Sequence, residues 1–179
     1  MKRTAALFSA AFAIAAIAAG SAGSATSKSS FAVFVEPTIT AASNGLTLET
    51  ELEGSFNVAT KTASGDGTYS LMAGSTVLET GTFTLTRLVA FQFYGCGEVT
   101  TPDGPAELPS DWCGGRVILA VHAVSSTGEE SDGLYEVNCQ IHDPGGQASP
   151  GTSEGVKINA RGINFNKHVT GDNLFVMLP

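Results

Sequence analysis

Thr82–Gly115 reads TFTLTRLVAFQFYGCGEVTTPDGPAELPSDWCGG. Phe83, Leu85, Arg87, Val89, Phe91 and Phe93 alternate with Thr82, Thr84, Thr86, Leu88, Ala90, Gln92 and Tyr94. A period of two carried by β-branched and aromatic residues predicts a β-strand. The apolar residues of the first side, each worth about 1.5–3 kcal/mol when fully buried, need an opposing layer to cover them. Strict alternation puts Arg87 in the middle of that stripe, where a charge has to be paired. Three readings follow: Arg87 binds a carboxylate or phosphate ligand inside a barrel, it makes a structural ion pair with an acid, or a local bulge turns it outward. The structural readings outweigh the ligand.

The strand stops at Gly95-Cys96-Gly97, where glycine permits the backbone angles of a sharp reversal. Pro102, Asp103-Gly104, Pro105 and Pro109 then predict an irregular surface loop over 97–112, closed by Cys113. A Cys96–Cys113 disulfide would staple this loop, contributing about 3 kcal/mol in the chain-entropy model. A staple fits better than a redox role, because no C-x-x-C pair is present. Trp112, the single tryptophan, is a candidate for stacking on a sugar or anchoring a protein partner, as well as for packing on the disulfide.

The chain opens with the layout of a secretory signal peptide over residues 1–25. Met1-Lys2-Arg3 is positive, Ala5–Ala19 is apolar, and the small residues of Gly20–Ala25 precede a cleavage site in 22–26. The apolar run is short and alanine-rich for a membrane span, and no later segment qualifies. The expected location is therefore secreted or extracellular, periplasmic in a Gram-negative host. Cleavage would remove two of the nine basic side chains and none of the 17 acidic ones, leaving a formal charge of −10. That sign repels phosphate backbones and anionic lipid surfaces, so nucleic acid is not an expected partner.

Residues 26–45 read as a partly disordered N-terminal segment with a short strand at Phe31–Val35, ended by Glu36-Pro37. The β domain is placed at 46–179. In LTLETELE, Leu46–Glu53, Leu46, Leu48, Thr50 and Leu52 face one way and four polar side chains the other, an amphipathic strand with a solvated acidic face. Ser64-Gly65-Asp66-Gly67 signals a hairpin turn, and Glu79-Thr80-Gly81 a break before the central strand. Arg116–Ser125 and Leu134–His142 alternate as further strands. Cys139 lies on the apolar side of the second, either a buried free thiol or the partner of Cys96 or Cys113. Asp143–Ser153 is a second long Gly/Pro-rich loop. Gly155–Phe165 changes parity at Gly162, which reads as a β-bulge, and Asn173–Leu178 is the last strand.

Short strands separated by turn chemistry, with no helical period, predict a single all-β domain: an antiparallel β-sandwich or small β-barrel. No catalytic, metal or cofactor set emerges. His122, His142 and His168 stand singly without ligand spacing. Gly151-Thr152-Ser153-Glu154-Gly155 matches G-x-S-x-G but lacks the strand–turn–helix context of a nucleophile elbow. The cluster Glu129, Glu130 and Asp132 has no cleft to divide acid from base. The leading expectation is a secreted, non-enzymatic binding protein presenting loops 97–112 and 143–153 to an unknown macromolecule or small ligand. The second is a barrel-type carrier of a small apolar or anionic ligand. An extracellular hydrolase ranks last.

Overall fold

A computed structural model describes residues 29–101, 104–141 and 154–179. The signal-peptide segment 1–25, loop 143–153, His142 and most of the G-x-S-x-G string lie outside them. The described residues form eleven strands: β1 Ser30–Ala42, β2 Leu46–Asn57, β3 Thr62–Ala73, β4 Thr76–Cys96, β5 Glu98–Thr101, β6 Gly104–Glu107, β7 Trp112–Ser125, β8 Glu130–Cys139, β9 Gly155–Ala160, β10 Ile163–Thr170 and β11 Asn173–Met177. Every pairing is antiparallel.

The main sheet closes on itself. Strands β1, β2, β3, β4, β7, β8, β9 and β10 pair in that order, and β10 returns to β1. Closure selects the barrel over the sandwich and removes free sheet edges. Strand β11 continues along β1 after a break at Gly171-Asp172, then crosses to the start of β7, pairing Phe175 with Cys113 and Val176 with Trp112. One end of the barrel is thereby covered. The other end carries the tight turns after β1, β3, β7 and β9.

Inside the covered half, Phe31, Phe56, Phe91 and Phe175 pack ring on ring with centroids 4.9–6.0 Å apart. Around them lie Val33, Leu52, Val117, Val137 and Val156, all buried. The acidic face expected on β2 points outward, with Glu51 and Glu53 exposed while Leu48, Thr50 and Leu52 face the interior.

Five expectations need correction. The first strand, expected to end at Val35, starts at Ser30 and continues past Glu36-Pro37 to Ala42. A bulge between Val35 and Thr38 accommodates the proline, which has no N–H to place in a ladder. The β2–β3 turn is Val58–Lys61, and Ser64–Gly67 lie inside β3. There, glycine answers close approach rather than a turn: a Cβ on Gly67 would sit 2.4 Å from the Phe83 ring. Glu79–Gly81 do not interrupt β4, which runs for 21 residues. Within 97–112, β5 and β6 pair as a small hairpin, so this loop is not wholly irregular. The parity change at Gly162 is a two-residue hairpin turn between β9 and β10, not a bulge. Arg161 and Gly162 there have φ of 50° and 75°, the left-handed pair that matches strand twist in such turns.

Candidate functional site

Strand β4 decides what faces the barrel interior. Bulges between Leu85 and Arg87, Leu88 and Ala90, and Phe93 and Gly95 shift its register against β7. Each bulge adds a residue and reverses which parity points inward. Leu88 is consequently buried and Arg87 exposed. The first two bulges together return Phe91 and Phe93 to the inner parity, where both rings reach Phe31, and Phe93, near the end of the strand, is 46% exposed. The ligand-binding arginine inside a barrel is thus replaced by an outward arginine on a bulge. It lines none of the cavities described below.

The interior is not completely filled. Beneath the tight-turn end lies a cavity of about 80 Å³, walled by Leu48, Leu71, Phe83, Val121, Ile158 and Phe165. Seven of the eight ring strands contribute to its wall. Its floor carries two hydroxyls: Thr50 Oγ1 and Tyr135 Oη lie 2.8 Å apart, and both residues are buried. The Tyr135 ring stacks on Phe83 with centroids 5.3 Å apart. Burial holds the Tyr135 phenol far above its ordinary pKa, so the hydroxyl stays neutral.

Charged groups gather at the mouth. Tyr69 Oη donates to Glu79 Oε1 at 2.5 Å, and Arg161 Nη1 donates to Glu79 Oε2 at 2.9 Å. Glu129 Oε2 stands 3.7 Å from the same guanidinium. This cluster links β3, β4, the β7–β8 turn and the β9–β10 turn across the opening. Burial, the Glu79 hydrogen bond and its charge push Tyr69 up to about 12. The Tyr69 hydrogen bond, followed by Arg161, holds Glu79 below the usual carboxylate range. Sequence reasoning missed this site, since Arg161 stands 82 residues from Glu79 and the three residues carry no motif.

At the covered end, Cys96 and Cys113 are bonded directly across β4 and β7, with Cα atoms 4.0 Å apart. Cys139 is the free, buried thiol; its Sγ donates to the Asn173 carbonyl at 3.5 Å, and burial pushes it up to about 12. A thiol so held is a poor nucleophile. Trp112 opens β7 rather than sitting in the preceding loop. It is 38% exposed and lines an open outer groove of about 780 Å³ together with Phe34, Leu174 and the carboxylates Glu36, Glu53 and Asp172. Glu154 also lines this groove, and burial, then the charge of Asp172, raise its pKa.

His122 meets carboxylates on the barrel exterior, with Nδ1 3.0 Å from Asp132 and Nε2 3.6 Å from Glu130. Among the described residues no group of three or more His, Cys, Asp or Glu is arranged to hold a metal ion. Among the same described residues no helix is long and apolar enough to cross a membrane. Comparison with protein-family models, curated proteins and solved structures finds no match to the chain.

Proposed function

We propose that this chain is an exported, non-enzymatic binding protein whose barrel receives a small apolar group through its tight-turn end. The observation that carries the reading is the 80 Å³ cavity with its apolar wall. Eight-stranded barrels enclose an interior that side chains nearly fill, or that holds one small ligand. Water takes about 30 Å³ per molecule in the liquid, so this space admits only a few non-hydrogen atoms, such as a compact ring or the end of a short chain. A disulfide and an apolar-inside, acidic-outside barrel suit a protein working outside the cell.

Methyl NMR under xenon pressure tests the reading. Shifts confined to Leu48, Leu71, Val121 and Ile158 are expected, and these should vanish in Ala160→Phe, which places a ring into the cavity wall. Uniform small shifts over the whole protein, unaffected by the substitution, would count against an interior site.

The outer groove favours a second reading, in which the partner is a macromolecule. Phe34 and Trp112 are 37% and 38% exposed and border carboxylates, a combination that suits a basic segment carrying apolar side chains. Fluorescence of Trp112 would report titration with an Arg/Lys-rich peptide, and a spectrum unchanged at low salt would argue against this reading.

A further inference from the structure

We infer that the barrel cavity selects a neutral ligand carrying one hydrogen-bond acceptor, a carbonyl or ether oxygen, which reaches the Thr50–Tyr135 hydroxyl pair. This rests on the proposal that the cavity is a binding site and adds the chemistry of what enters it. Two hydroxyls bring two hydrogens to the floor, and their mutual 2.8 Å bond uses only one. Neither oxygen has another hydrogen-bond partner among the described residues. One O–H therefore remains to be given, in an apolar space where an unmet donor is costly. Both residues line the cavity, so the missing acceptor belongs in it. A saturated hydrocarbon would fill the space and leave that donor unpaired.

The mouth argues against an anion. Glu79 and Glu129 bring two negative charges against the single positive charge of Arg161, whose guanidinium is already engaged by both. A ligand carboxylate would face a net negative rim and compete with Glu79 for Arg161, the one cation among the described residues that line the cavity. Inside, Tyr135 and Thr50 offer hydrogen bonds without charge, which do not repay the desolvation of an ion. The anionic half of the carrier expectation is thus disfavoured.

Cyclopentane, cyclopentanone and butyrate form a size-matched set of compact probes. Titration followed by methyl shifts of Leu48, Leu71 and Val121 should show cyclopentanone binding about tenfold tighter than cyclopentane, from one hydrogen bond to a previously unpaired donor. The carboxylate should bind least. In the double variant Thr50→Val/Tyr135→Phe, which removes both hydroxyls and keeps the side-chain volumes close, cyclopentane and cyclopentanone should bind alike. Either single variant should keep most of the preference, because each retains one donor. Equal binding of the two neutral probes to the native protein would overturn the acceptor while leaving the cavity as a site. A preference that survives the double variant would place the oxygen elsewhere and equally overturn it. Failure of all three probes to shift the cavity methyls, with xenon also without effect, would remove the binding site itself.

Discussion

Thr50 and Tyr135, 85 residues apart in the chain, share a 2.8 Å hydrogen bond across the barrel interior, from strands standing opposite each other in the ring of eight. The bond ties two walls of the cavity together at a point where both side chains are buried. Tyr135→Phe leaves the Thr50 hydroxyl alone in that space and should cost about 1–3 kcal/mol in urea unfolding. Thr50→Val should behave similarly. Because removing both partners deletes the unpaired group as well as the bond, the double variant should cost less than the two singles added together. Strict additivity within about 0.5 kcal/mol would show that the hydroxyls do not interact.

Neighbouring residues of β4 should respond oppositely to truncation. Leu88 is 2% exposed within the core cluster, whereas Arg87 points to solvent from the adjoining bulge. Leu88→Ala is expected to lose about 2–5 kcal/mol, and Arg87→Ala no more than about 0.5 kcal/mol. Chemical denaturation of the two variants checks the bulge register directly. A large loss from Arg87→Ala would mean that simple alternation holds and the arginine is buried after all.

The contrast between these residues shows where the sequence was readable. Alternation is a local property, and it located the inward faces of β2, β7 and β8 because these strands carry no bulge of their own: β2 pairs with β3, β7 with β8 and β8 with β9 in unbroken register. A bulge depends on the partner strand: in TFTLTRLVAFQFYG the one beside Arg87 showed only as a charge standing in the apolar stripe, for which an outward bulge was one of three readings, and the other two left no mark. Glycine was ambiguous for a related reason. At Gly162 it serves a turn, while at Gly67 it makes room for the Phe83 ring from another strand, and only the tertiary contact separates the two uses. The cavity was least legible, since its hydroxyl pair and its charged rim are assembled from residues brought together by ring closure.

Alkaline pH should loosen the rim. Tyr69 has its pKa raised from 10.0 to about 12 in the folded chain, by burial first and then by Glu79. The folded state thus favours the neutral phenol, and the stability this contributes is fully present below pH 10. It is lost as pH rises from there through about 12, because the unfolded chain releases its proton sooner. Tyr135 and Cys139, also raised, act in the same direction. Unfolding midpoints measured alongside tyrosinate absorbance should fall over this window, and Tyr69→Phe should make the fall shallower. An unchanged slope in that variant would mean that the Tyr69–Glu79 bond does not survive in solution.

Thiol chemistry should distinguish the three cysteines by fold alone. Cys139 is fully buried, its pKa pushed up to about 12, and Cys96 and Cys113 are bonded to each other. An alkylating reagent applied to the native protein near pH 8, below the ordinary thiol value, should add nothing. In denaturant without reductant it should add one equivalent, located at Cys139 by peptide mapping, and after reduction three. Reduction also releases the 17-residue separation between Cys96 and Cys113, so the reduced protein should unfold with about 3 kcal/mol less stability. Because β4 and β7 pair along most of their length on one side of this bond, the loss should fall on global stability without opening the cavity at the opposite end. Rapid alkylation of Cys139 in the native state would instead reveal that the covered end opens readily, with β11 leaving β7 and taking Phe175 out of the aromatic cluster.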